Sequence, residues 1–149
     1  MRDEYVYRER QIGWLILIAL ALGSGLVFGV TWWKQPSELQ GPLGLLAVGL
    51  GLVALGMGSL TVEVGGGELR WRFGWLGWPG GRVRLTDIAS VEPCRTKWWE
   101  GWGIRFTPDG MLYNVSGFDA LRVTRRDGKR FRLGSADPAG VMRVLTPRL

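Results

Sequence analysis

Apolar positions run without a charged side chain from Ile12 to Trp33 and again from Leu43 to Leu60, after which the pattern changes to alternation. The first run has 22 residues and the second 18. A helix needs roughly 20 apolar residues to cross a hydrocarbon core about 30 Å thick. Hydrophobicity on every side of both helices suits lipid better than the interior of so short a chain. Seven residues separate the runs, Lys34 to Gln40, with Pro36 and the Gly41-Pro42 pair as breakers, which forces an antiparallel transmembrane hairpin. The apolar character continues past Ala19-Leu20-Ala21, an imitation of a cleavage site, to Trp33, and so favours an uncleaved anchor.

Alternation from Leu60 onward marks short strands with one buried face. Thr61 to Val64 opens a strand, Gly65-Gly66-Gly67 turns the chain, and Leu69-Arg70-Trp71-Arg72-Phe73 returns with its apolar residues on one face and its arginines on the other. Arg82 to Leu85, Ser90 to Arg95, Gly103 to Thr107, Met111 to Val115, Ala120 to Arg125 and Arg130 to Leu133 supply further strands. Asp127-Gly128 is a hairpin signal between the last two. Asp137-Pro138 then provides an N-cap and a first-turn proline for an amphipathic helix that Pro147 closes. The expected architecture is α+β: a tail over residues 1–11, a helical hairpin over 12–60 with spans 12–33 and 43–60, and a domain over 61–149. That domain has about seven antiparallel strands, as a small barrel or sandwich, and a C-terminal helix.

Small residues share a face of each span, with Ala21, Gly25 and Gly29 on the first and Ala47, Gly51, Ala54 and Gly58 on the second. Such faces let helix backbones approach closely. The expectation is packing within the hairpin, with joining to a second copy or to other spans as the alternative. Ser24 is the one polar side chain in mid-span, which argues against a pump or carrier acting alone.

Charge adds direction. The formal net charge is +6, and residues 61–149 alone hold fifteen basic against nine acidic side chains, a surplus of the same six. Basic residues number three before the first span (Arg2, Arg8, Arg10), one between the spans (Lys34) and fifteen after the second. The positive-inside rule then makes both termini cytoplasmic, with the spans in the cell membrane. Trp14, Trp32 and Trp33 fall near the ends of the first span, at headgroup level. A basic domain beside a bilayer meets anionic lipid, at about 1 kcal/mol per Lys or Arg near the surface. Nucleic acid is not expected as a partner, since neither a zinc-ligand set nor a recognition helix is present.

Leu85-Thr86-Asp87-Ile88-Ala89-Ser90-Val91, followed in order by Trp102-Gly103-Ile104-Arg105, Tyr113-Asn114-Val115-Ser116-Gly117 and Gly134-Ser135-Ala136-Asp137-Pro138, resembles the bacterial pleckstrin-homology-type domains found behind a two-helix hairpin in small membrane proteins. The resemblance implies a split barrel with a C-terminal helix and a role in lipid or protein contact. Arg70-Trp71-Arg72 matches the second half of a phosphoinositide-gripping pattern. The preceding strand offers Val62-Glu63-Val64 with no lysine, so a diffuse anionic contact is implied in place of a phosphoinositide pocket.

Chemistry narrows the reading further. The chain has no histidine and one cysteine, Cys94, which removes the usual general base, the commonest metal ligand and any disulfide within the chain. Gly65-Gly66-Gly67 lacks the following Lys-Ser/Thr of a phosphate loop. The carboxylates fall where turns and caps want them, so no cofactor, metal site or catalytic residue is expected. Aromatic and basic clusters are left as the candidate surface. Arg70, Arg72, Arg82 and Arg84 are placed to meet anionic lipid or a protein partner, and Trp75, Trp78, Trp98, Trp99 and Trp102 to sit at a membrane interface. The expected function is non-enzymatic binding of an anionic membrane surface or a membrane protein partner; the alternative is a subunit or assembly factor of a larger membrane complex.

Overall fold

The computed structural model describes residues 5–34 and 37–149. Among the sequence signals, Arg2 and Pro36 lie outside the described residues. The element order is β1 (Tyr5–Ile12), α1 (Trp14–Lys34), α2 (Ser37–Met57), β2 (Ser59–Gly65), β3 (Glu68–Phe73), β4 (Gly80–Arg84), β5 (Ile88–Arg95), β6 (Gly103–Thr107), β7 (Gly110–Asn114), β8 (Asp119–Arg125), β9 (Arg130–Gly134) and α3 (Pro138–Leu145).

Both long helices have 21 residues, which at 1.5 Å per residue gives about 31 Å each, long and apolar enough to cross a membrane. Their connection is shorter than the seven residues expected, because α2 begins at Ser37 and takes in Pro42. There the fixed φ of proline fits a helix, but Pro42 offers no N–H to the carbonyl of residue 38 and its ring crowds that carbonyl.

Residues 5–11, expected as part of a tail, belong to a strand. β1 pairs antiparallel with β2 from Tyr5 opposite Gly65 to Ile12 opposite Ser59. The pairing passes straight into the helices, where the Gly13 N–H donates to the Gly58 carbonyl at 2.9 Å. The hairpin therefore grows out of the sheet with no linker at either strand.

The two small-residue faces separate. Ala47, Gly51 and Ala54 of α2 are half-buried and Gly58, just beyond its end, is buried; a Cβ on Gly58 would collide with the Ala54 carbonyl and with the Leu17 side chain of α1. On α1 the half-buried or buried residues include Ile16, Leu17, Leu20, Gly23, Ser24, Val27 and Thr31, whereas Ala21, Gly25 and Gly29 are exposed. Nothing lies within 4 Å of where a Cβ on Gly25 or Gly29 would stand. The expected close packing through Ala21, Gly25 and Gly29 inside the hairpin is thus corrected: residues such as Leu17, Leu20 and Val27 set the α1 side of the contact, and these three small residues face outward.

Nine strands among the described residues form two sheets, ordered β1-β2-β3-β4 and β5-β8-β9-β7-β6. No ladder joins the sheets, so the barrel is not closed. The sheets are not wholly antiparallel either: β7 and β9 run parallel, Leu112 opposite Arg132. Gly66 and Gly67, at φ 58° and 75°, make the β2–β3 turn, a left-handed pair that matches the twist of a two-residue hairpin. Between the sheets lies the core. Leu60, Val62, Val64, Leu69, Trp71 and Phe73 of one face Val91, Leu121, Val123, Phe131 and Leu133 of the other. Trp71 packs on Phe131 at 4.8 Å and on Tyr113 at 5.3 Å between ring centroids.

Val141 and Leu145 bury α3 against this core. Asp137 caps it by accepting from the Gly140 N–H at 2.9 Å. Glu9 of β1 accepts from the backbone N–H groups of Ala136 and Asp137, which ties the first strand to the start of the last helix.

Candidate functional site

Residues paired across a sheet share a face, so the registers of the first sheet define what its outer side presents. Nearest the helices is a row of Arg10, Thr61, Arg72 and Gly80; beyond it come Arg8, Glu63, Arg70 and Arg82; farthest out are Glu68 and Arg84. The four arginines expected from sequence are therefore brought together, and Arg8 and Arg10 of β1 join them. Six arginines meet two glutamates on this face.

The arginines lie over the strand between them and bury its polar residues. Glu63 is 3% exposed and receives Arg72 Nη2 at 2.7 Å and Arg8 Nε at 3.2 Å. Arg70 donates to Glu68 at 2.8 Å, and Arg84 stands 3.6 Å from Asp87. Arg10 donates to Ser59 Oγ at 3.3 Å. Arg82 is exposed and makes no ion pair or hydrogen bond among the described residues. Arg70, Arg72 and Arg82 line one open groove of about 440 Å³ with Glu63, Gly77, Trp78, Gly80 and Gly81.

The β3–β4 loop forms one wall of that groove and is seated on the end of α2. The Trp75 N–H donates to the Leu55 carbonyl at 3.2 Å, and the Gly74 N–H to the Ser59 carbonyl at 2.8 Å. Gly74 has φ 60°, and a Cβ there would run into the backbone of Gly56. Fixed in this way, Trp75, Leu76 and Trp78 project with about four-fifths of their surface exposed. Trp14, the first residue of α1, is exposed at the same end of the hairpin.

Trp98, Trp99 and Trp102 belong to a different surface. Their loop leaves β5 where the Thr96 N–H donates to the Phe118 carbonyl at 2.7 Å and returns beside Met57 at Gly103. Between those points it folds over the second sheet, where Glu100 accepts from buried Arg132 at 3.1 and 3.2 Å. Trp98 and Trp99 meet edge to face at 6.0 Å, and Lys97 lies 5.1 Å from the Trp99 ring. No ring contact among the described residues joins them to Trp75 or Trp78.

Asp109 completes a second charged group by accepting from Arg132 and from Arg122, the latter at 3.0 Å. The Arg132 hydrogen bond and the two guanidinium charges hold its carboxyl below the usual range. Neither this group nor β1 was read from the sequence. Cys94 stands beside it, and burial pushes its thiol up, away from the thiolate that nucleophilic chemistry requires. Among the described residues no cluster of three His, Cys, Asp or Glu side chains could hold a metal ion.

The arrangement suits anion contact. It offers a rigid arginine face whose lowest row stands next to two apolar helices, and an aromatic loop at the helix end. No protein-family model, curated protein or solved structure matches the chain.

Proposed function

We propose that the chain is a non-enzymatic integral membrane protein whose β domain holds an anionic membrane surface. In this reading α1 and α2 cross the cell membrane, and both termini and the domain lie on the cytoplasmic side, where the basic surplus of residues 61–149 favours them. The observation that carries it is the docking of the Trp75, Leu76 and Trp78 loop on Leu55 at the end of α2. Indole rings favour the headgroup level, and a helix end that closes a 31 Å apolar span belongs there.

Distance then sorts the arginines. Thr61, paired with Arg10 and Arg72, is three residues beyond Gly58, roughly 10 Å along a strand at 3.3 Å per residue. The headgroup layer extends about 5–7 Å beyond the hydrocarbon on each side. Arg10 and Arg72 are thus long enough to reach back to lipid phosphates, whereas Arg84 stands clear of them. The resemblance to pleckstrin-homology-type domains supports binding over catalysis.

The test uses the full chain, because β1 and Arg8 are part of the sheet that carries the site. Spin-labelled lipids in nanodiscs of mixed neutral and anionic composition report enrichment around the protein. Enrichment of the anionic lipid that falls with salt and with Arg10→Gln/Arg72→Gln is expected; equal partition of neutral and anionic lipid in the unaltered chain removes the reading.

A second reading has its own observation. The outward Ala21, Gly25 and Gly29 face of α1 would let another span approach closely, which supports a subunit or assembly factor of a larger membrane complex.

A further inference from the structure

The groove between Trp78 and the arginines has features that a diffuse basic surface lacks. Arg82 stands directly opposite Arg70 on neighbouring strands, an arrangement that is unfavourable for like charges. Glu68 offsets Arg70 and Glu63 offsets Arg72, but Arg82 has no counter-charge among the described residues. The two glutamates also fix the guanidinium groups they bind, so the groove is ordered before any ligand arrives. Its floor is kept low by Gly80, paired with Arg72 on the outer face, where a side chain would strike the Trp71 carbonyl. Its wall is an exposed indole at the helix end.

We propose that this groove seats the phosphate of one anionic glycerophospholipid drawn from the surrounding leaflet. The inference rests on the membrane seating proposed above and adds a discrete site to it. Arg82 supplies the unbalanced charge and a planar fork that matches phosphate, with Arg72 as the lower donor. Trp78 packs against the glycerol and upper acyl segment, where an amphipathic ring gains from an apolar body and a polar rim. A free anion in water would use the arginines but gain nothing from Trp78 or from the adjacent hairpin, and that selects a lipid as the occupant.

Native mass spectrometry of the full chain, released from nanodiscs of mixed phosphatidylglycerol and phosphatidylcholine, reads the retained lipid directly. One phosphatidylglycerol per chain is expected. Arg82→Lys keeps the charge but loses the fork, and Trp78→Ala keeps every charge; each lowers retention by roughly tenfold. Retention equal to the unaltered chain in Arg82→Lys and Trp78→Ala overturns the site and leaves only diffuse attraction. Binding of inorganic phosphate to the groove in purely phosphatidylcholine discs, as tight as that of the lipid, overturns it in favour of a free-anion site. Enrichment without any retained lipid refutes the groove alone, whereas loss of enrichment in the unaltered chain refutes the membrane reading as well.

Discussion

Arg72 donates to Glu63 at 2.7 Å across adjacent strands, and Glu63 holds that bond with almost none of its surface in water. A carboxylate so placed organises a charged face from beneath. Arg8 shares the same oxygen, so one acidic side chain on β2 sets the position of arginines on both neighbouring strands. Glu63→Gln removes the charge and keeps the shape. It is expected to lower domain stability by about 1–2 kcal/mol, the lower part of the range for charged hydrogen bonds because both arginines are about half exposed. Denaturant unfolding in mild detergent, followed by tryptophan fluorescence, measures it. An unchanged midpoint would show that Glu63 is not the organiser.

Gly74 offers a second test. Its φ of 60° and its contact with the Gly56 backbone leave no place for a side chain. Gly74→Ala should cost about 1–3 kcal/mol and free the loop from α2. Brominated lipids should then quench Trp75 and Trp78 less than they do in the unaltered chain, while Trp14 is quenched equally. Equal quenching of all three would separate the loop's depth from its docking.

The hairpin glycines should respond in opposite ways. Gly58→Ala forces a methyl against the Ala54 carbonyl and the Leu17 side chain and is expected to destabilise the helix pair by about 1–3 kcal/mol, the range for overpacking. Gly25→Ala meets open space and should stay within about 0.5 kcal/mol. Thermal stability in detergent distinguishes them, and comparable losses at both positions would contradict the inward and outward assignment.

Tyr7 links β1 to the α3 cap through Glu9 and Asp137, each 3.2 Å from its hydroxyl. Burial first, and then the two carboxylate charges, push its phenol well above the ordinary value of 10.0. The folded state therefore keeps the proton when the unfolded chain releases it. The stabilisation is full below pH 10 and declines as pH rises above it toward the folded value. Tyr7→Phe should be less stable than the unaltered chain at pH 8 and should show a shallower fall in melting temperature above pH 10. Parallel slopes would mean that another group governs the alkaline limb.

Alternation made every strand from β2 to β9 legible to within about two residues, because each has one face toward an apolar core. β1 escaped for a physical reason. Its inward residues Tyr7, Glu9 and Gln11 meet polar partners at Asp137, Ala136 and Ser116, so no apolar period marks the strand. The arginine face was half visible, as Arg70 and Arg72 alternate with Trp71 and Phe73, but Arg8 and Arg10 could join it only once β1 was known to pair with β2. The Arg132, Glu100 and Asp109 group depends on β9 lying beside β7 in parallel, a long-range pairing that no local pattern encodes. For the α1 glycines spacing identified a shared face, but which way that face turns is decided by the larger side chains packed opposite.

The direct passage of β1 into α1 and of α2 into β2 gives the proposed membrane protein a mechanical property. With Gly13 bonded to Gly58 where the helices meet the sheet, no hinge separates span from domain. A pair of helices answers a thinner bilayer by tilting, and here the sheet must lean with them. Bilayer thickness would then set the angle at which the arginine face meets the lipid surface, making the outer surface a lever moved by the hydrocarbon beneath it.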